Sequence, residues 1–109
     1  MSGGPRIIDP GPRTGEKDCL LLFQKTHLLS PTDVLDTLKR DYVLDVDLRK
    51  EDGRERLYAI YKGKIAGVLM PKLIVRLKEC IESGVEYNAI VLEKSGGRCM
   101  VEIRPKAAK

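Results

Sequence analysis

From Leu44 to Arg49 apolar and charged residues alternate: Leu44, Val46 and Leu48 are set against Asp45, Asp47 and Arg49, with Tyr42 extending the apolar set. A period of two sends one set to a core and the other to water, which is the signature of a half-buried β-strand. The remainder of the chain multiplies the constraint. A charged turn over residues 50–55 surrounds Gly53, residues 57–61 and 64–69 flank Lys62-Gly63, and residues 87–93 and 98–104 flank Ser95-Gly96-Gly97. Glycine turns this short between strand-like runs are hairpin signals. In the last hairpin Cys99, Val101 and Ile103 alternate with Met100, Glu102 and Arg104. Short connections force neighbouring strands to run antiparallel.

Two helices are expected between these strands. For the first, Ser30 can cap, Pro31 suits the first helical position, Asp33 completes the box, and Leu29 and Val34 sit where a staple would form; Val34, Leu35 and Leu38 make its buried stripe up to about Arg40. For the second, Pro71 opens a stripe of Leu73, Ile74, Leu77, Cys80 and Ile81 that Gly84 stops, with Lys72, Arg76 and Glu79 outside. The short apolar block at residues 19–23 reads as a first strand buried on both faces. Residues 1–17, with four Gly and three Pro, read as a flexible lead, residues 18–105 as a single domain and residues 106–109 as a loose tail. The fold class is therefore α+β: a mainly antiparallel six-stranded sheet, partly closed or barrel-like, with two helices.

Aromatic residues are few, four Tyr and one Phe without Trp, so Leu, Ile and Val must build the core. Cys19, Cys80 and Cys99 are odd in number and far apart, which rules out a complete disulfide framework and favours a reducing compartment. Without an apolar leader or a run near the ~20 residues of a membrane span, the sequence points to a cytoplasmic protein, nuclear in a eukaryote, with no membrane partner. The net charge of +4 is uneven. Residues 19–48 carry −2 and residues 49–80 carry +5, so the centre of the chain is its basic part.

Catalytic chemistry is hard to assemble from these residues. His27, the one histidine, has no metal-ligand spacing to a cysteine and reads as surface, while Cys80 and Cys99 lie on apolar stripes and read as small core residues. Asp45 and Asp47 share one face of a strand, a geometry able to hold a hard cation, although a solvated strand face demands the same residues. Gly96-Gly97 lacks the helix and the Lys-Ser/Thr of a phosphate loop. The expectation is a non-enzymatic binding module without cofactor or metal. Arg54, Arg56, Lys62 and Lys64 interleave with Tyr58 and Tyr61, and Lys72 and Arg76 line the second helix. Cations for phosphates beside rings for bases are the ingredients of single-strand nucleic-acid binding. Tyr58 and Tyr61 fall on opposite strand faces, so one of them belongs to the core. The alternative expectation is a protein-interaction or homodimerisation module that offers an exposed sheet edge.

The run Ala59-Ile60-Tyr61-Lys62-Gly63-Lys64-Ile65-Ala66-Gly67-Val68-Leu69-Met70-Pro71, then an amphipathic helix, Gly84 and the strand Tyr87-Asn88-Ala89-Ile90-Val91, resembles the C-terminal part of the HIRAN domain. The likeness covers residues 42–93. It implies a barrel-like module of the kind joined to chromatin-remodelling ATPases and helicases or standing alone in bacteria, whose characterised members bind the 3′ end of single-stranded DNA. The family's Asn-x-Tyr-Asp element would fall on Gly53-Arg54-Glu55-Arg56, so no residue of it carries over.

Overall fold

A computed structural model describes residues 19–106; the expected lead and the last three residues of the expected tail lie outside that range. Six strands form one closed antiparallel barrel: β1 (Gln24–Leu29), β2 (Val43–Glu51), β3 (Arg54–Tyr61), β4 (Lys64–Leu69), β5 (Tyr87–Ser95) and β6 (Arg98–Pro105). Around the barrel they run β1-β4-β3-β2-β5-β6, and β6 pairs back to β1. An α-helix, α1 (Ile74–Glu82), joins β4 to β5.

The hairpins follow the sequence closely. Asp52 and Gly53, and again Lys62 and Gly63, all have positive φ, the pair of left-handed residues that a two-residue turn needs to match strand twist. On β2, Leu44 is fully buried while Val46 and Leu48 are half-buried against the core. From α1, Leu77 and Cys80 enter that core. Gly84 takes φ 107° and the Val85 amide donates to the Cys80 carbonyl, so the helix stops as its sequence requires.

Three expectations are corrected. The first strand is Gln24–Leu29, whereas Cys19 and Leu20 are helical. A continuous apolar block has no period to fix its conformation, and Lys25 and His27 line the outer face of a strand whose inner residues are only Gln24, Thr26 and Leu28. His27 thus sits on β1, opposite Met100, and is exposed. The first helix is a five-residue 3-10 turn, Asp33–Thr37, capped by Thr32 and not by Ser30, which has φ 45°. The Thr32 amide donates to the Ala66 carbonyl and the Asp41 amide to that of Val91, so the segment is tied to different strands at its two ends, and after one 3-10 turn the chain extends again at Leu38, with ψ 142°. Cys80 is bonded to Cys19 across 61 positions, leaving Cys99 as the buried thiol. β6 ends at Pro105, the expected end of the domain, and the amide of Lys106, the first residue of the expected tail, donates to the Glu86 carbonyl.

Closure rests on a narrow seam. β1 and β4 share only the register pairs Leu28↔Leu69 and Leu29↔Val68. Beside them, Ala59 pairs with Gly67 and Ile60 with Ile65, leaving Ala66 as an extra residue on β4. The carbonyls loosened there are taken by Thr32, whose hydroxyl donates to Ile65 at 2.6 Å and whose amide donates to Ala66 at 2.9 Å. A Cβ on Gly67 would stand 2.6 Å from Leu28 Cγ and 2.8 Å from the Leu29 carbonyl oxygen, so glycine alone lets the two strands meet.

Gly67→Ala is expected to cost roughly 1–3 kcal/mol in urea unfolding, the usual range for overpacking. Gly97→Ala, with nothing within 4 Å of the added carbon, is the control and should shift stability by less than about 0.5 kcal/mol. Equal effects would remove the seam argument. Replacing Cys19 and Cys80 together by Ser should cost about 4 kcal/mol, read between the values for loops of ~15 and ~100 residues, and should lower Tm measurably.

Candidate functional site

The residues expected to form one basic surface separate into groups along the barrel axis. β3 begins at Arg54 and ends at Tyr61, so those residues lie roughly 20 Å apart at strand rise. Arg54 and Arg56 are exposed at the end where β4 finishes and α1 begins, while Lys62 and Lys64 sit at the other end, around the β3–β4 turn. Lys72 and Arg76 belong to the α1 end, and the Arg76 guanidinium lies 3.8 Å from Glu79.

Tyr58 is not available for stacking. It is 8% exposed, its hydroxyl donates to Glu51 Oε1 at 2.6 Å, and the Arg49 guanidinium covers its ring at 5.7 Å. Its phenol pKa is raised above the ordinary 10.0, first by the Glu51 hydrogen bond and then by burial. The two tyrosines do face different ways, as the strand period requires, but the buried one lies outside the main core, under charged neighbours.

Tyr61 is half-buried instead, and with Tyr42 it packs against the edge of the core. Its ring stacks on Tyr42 with centroids 5.5 Å apart and planes 20° from parallel, and the Lys62 ammonium lies 5.5 Å from its centroid. Tyr42 and Tyr61, with Val34, Asp33, Lys62 and Lys64, line a cleft of about 580 Å³, within the size range of small-ligand clefts. Among the described residues neither Lys62 nor Lys64 enters an ion pair. Local geometry builds this site. The Lys62-Gly63 turn holds Lys62 at φ 51° beside the ring, and the Tyr42 carbonyl, accepting from the Val91 amide, fixes the start of β2.

Tyr42 was legible only as the first member of an apolar alternation, and nothing in that pattern pairs it with Tyr61. The carboxylates considered for a cation are engaged with basic groups: Asp47 Oδ2 accepts from Arg49 Nε at 2.8 Å, and Asp45 lies 3.7 Å from Lys106 Nζ. Among the described residues no three His, Cys, Asp or Glu side chains gather as metal ligands. Burial raises the Cys99 thiol pKa, as befits a packing residue. No helix of the described residues is long and apolar enough to cross a membrane. Compared with known proteins, the chain matches no family model, no curated protein and no solved structure.

The Tyr58 shift sets a pH dependence. A phenol whose folded pKa exceeds its unfolded one contributes stability that is complete below pH 10 and lost as pH rises through the folded value. Spectrophotometric titration, with Tyr58→Phe used to assign the signal, should show that Glu51→Ala moves the Tyr58 midpoint down toward 10.0. An unmoved midpoint would show that the carboxylate is not its cause.

Proposed function

We propose that the chain is a non-enzymatic module that binds single-stranded nucleic acid at the Tyr42–Tyr61 end of the barrel. One observation carries the reading: a stacked ring pair opens onto a cleft flanked by two lysines that have no ion-pair partner among the described residues. Base stacking on an aromatic face is sequence-tolerant, and unpaired ammonium groups are free to neutralise phosphates. The HIRAN resemblance points to the same ligand class, with single-stranded DNA as the substrate of choice. Relative to the basic surface expected from the sequence, the proposal keeps Tyr61, Lys62 and Lys64, adds Tyr42, and omits Arg54, Arg56, Tyr58, Lys72 and Arg76.

The edge-pairing alternative ranks second, because each of the six strands has a neighbour on both sides, although β2 beyond Asp45 pairs with β3 alone. A cytosolic or nuclear setting would hold Cys19 and Cys80 as thiols. The proposal is independent of that outcome. The disulfide lies at the α1 end, beside the start of β5 where the Tyr87 hydroxyl donates to the Cys19 carbonyl, and the cleft lies at the opposite end.

Fluorescence anisotropy with a labelled oligothymidylate at low salt tests the reading. Wild type should bind with strong salt dependence, and Lys62→Glu with Lys64→Glu should flatten the log–log salt slope by roughly 1.4, two phosphate contacts at ~0.7 each. Tyr61→Ala should weaken binding by about 1–3 kcal/mol. Arg54→Glu with Arg56→Glu should leave this site's ring-dependent binding in place. Undetectable binding by the wild type, or equal losses in both charge-reversal pairs, would sink it.

A further inference from the structure

A second cleft, of about 480 Å³, adjoins the first and is lined by Leu38, Lys39, Arg40, Leu92, Glu93 and Lys94. Arg40 lines this cleft and Tyr42 lines the other, so the two clefts have lining residues on either side of Asp41 whose Cα atoms are at most about 7 Å apart. Asp41 has φ 73°, a left-handed conformation that an aspartate tolerates better than most residues. The reversal it makes lets neighbouring side chains serve different clefts.

The ground beneath Lys39 and Arg40 is firm. Leu38, next to them, is 1% exposed, and the Asp41 amide donates to the Val91 carbonyl at 2.7 Å. A bulge helps on β5: Val91 pairs with Val101 and Glu93 with Met100, which leaves Leu92 as the extra residue. Past that bulge Lys94 stands opposite the buried Cys99, and its ammonium donates to the carbonyls of Leu35 at 2.7 Å and Leu38 at 3.2 Å. Lys94 therefore clamps the turn and keeps a positive charge at the cleft. Lys39 and Arg40 are exposed and enter no ion pair among the described residues. Against these three cations the lining holds one carboxylate, Glu93.

Resting on the reading proposed above, we infer that Lys39 and Arg40, backed by Lys94, form a phosphate-binding subsite that extends the Tyr42–Tyr61 cleft. The ligand is then a strand, not a single nucleotide: a base meets the rings while the backbone of adjoining nucleotides crosses the Leu38–Tyr42 turn into the second cleft. Arg40 supplies a planar fork able to engage two phosphate oxygens, and Lys39 a compact charge beside it. Both side chains lie in the stretch of the sequence whose summed charge is −2, which is why composition gave no hint of them.

The test compares a thymidine dinucleotide with an octathymidylate on wild type, Lys39→Glu/Arg40→Glu and the conservative Lys39→Arg/Arg40→Lys, with thermal melts confirming that each variant folds. The charge reversal is expected to weaken the octanucleotide about tenfold and to flatten its salt slope by roughly 1.4, while dinucleotide affinity changes less than about twofold and the conservative pair retains octanucleotide binding. An octanucleotide affinity indifferent to the reversal, or equal losses on both ligands, overturns the subsite and leaves the ring cleft standing. Titration with inorganic pyrophosphate, followed by amide NMR shifts, separates the other failure. If the wild type binds neither oligonucleotide, the nucleic-acid reading falls; movement of the Lys39, Arg40 and Lys94 amides would then support an anion seat without it, and silent amides would overturn that as well.

Discussion

The closure of the barrel at Gly67 is the contact on which the remaining architecture depends. Two register pairs join β1 to β4, against eight between β5 and β6, so the seam is the least redundant part of the hydrogen-bond ladder. It forms only because the β4 backbone passes directly beneath Leu28, where any side chain on Gly67 would collide with both a buried side chain and a carbonyl. Closure also decides what happens at the mouth. The bulge at Ala66 leaves carbonyls that Thr32 takes up, and with Thr32 anchored there and Asp41 anchored on β5 the intervening residues must arch between opposite sides of the barrel. That arch forms one wall of each cleft. An open sheet would offer Thr32 and Asp41 no fixed separation, and Tyr42 no fixed place beside Tyr61.

Much of this was legible, and the reason is local. Strands β2 to β6 carry period-two alternation or glycine turns, and α1 carries a buried stripe ended by Gly84; each signal is complete within about ten residues. The parts that were not legible depend on distant partners. β1 has the sequence QKTHLL, with polar residues on both faces, and is a strand because β6 and β4 flank it. The segment after Ser30 has the marks of a helix start, but it is tied to different strands at Thr32 and Asp41, which no local pattern announces. The disulfide is of the same kind. An odd cysteine count excludes complete pairing and says nothing about one pair brought together by a helix and the segment before β1.

The candidate site divides in the same way. Lys62, Lys64 and Tyr61 were found because they flank one tight turn and so remain neighbours in space. Arg54 and Arg56 were grouped with them on closeness in sequence, yet an extended chain moves about 3.3 Å per residue, and eight residues carry a side chain to the far end of the barrel. Clustering along a sequence approximates clustering in space for turns and helices and fails for strands. The failure runs both ways: Lys39 and Arg40, more than twenty positions from Lys62, come to the same end because the arch brings them there.

Net charge adds a reason why the arrangement matters more than the count. At +4 the molecule has little long-range attraction for a polyanion, and beyond about 10 Å salt screens what there is. Any grip on phosphate must come from cations held close together and left without internal partners. Elsewhere on the surface the pairing is frequent: Arg49 with Asp47, Arg104 with Glu102, Lys78 with Glu55, and Lys106 with both Asp45 and Glu86. At the Tyr42–Tyr61 end Lys62 and Lys64 lack such partners among the described residues, and the one lysine committed there, Lys94, donates to backbone carbonyls that do not cancel its charge. Arg54, Arg56 and Lys72 at the α1 end also enter no ion pair among the described residues, so what distinguishes the Tyr42–Tyr61 end is that its open cations stand beside a stacked ring pair, close to the two β-bulges, at Ala66 and Leu92, that interrupt regular strand geometry.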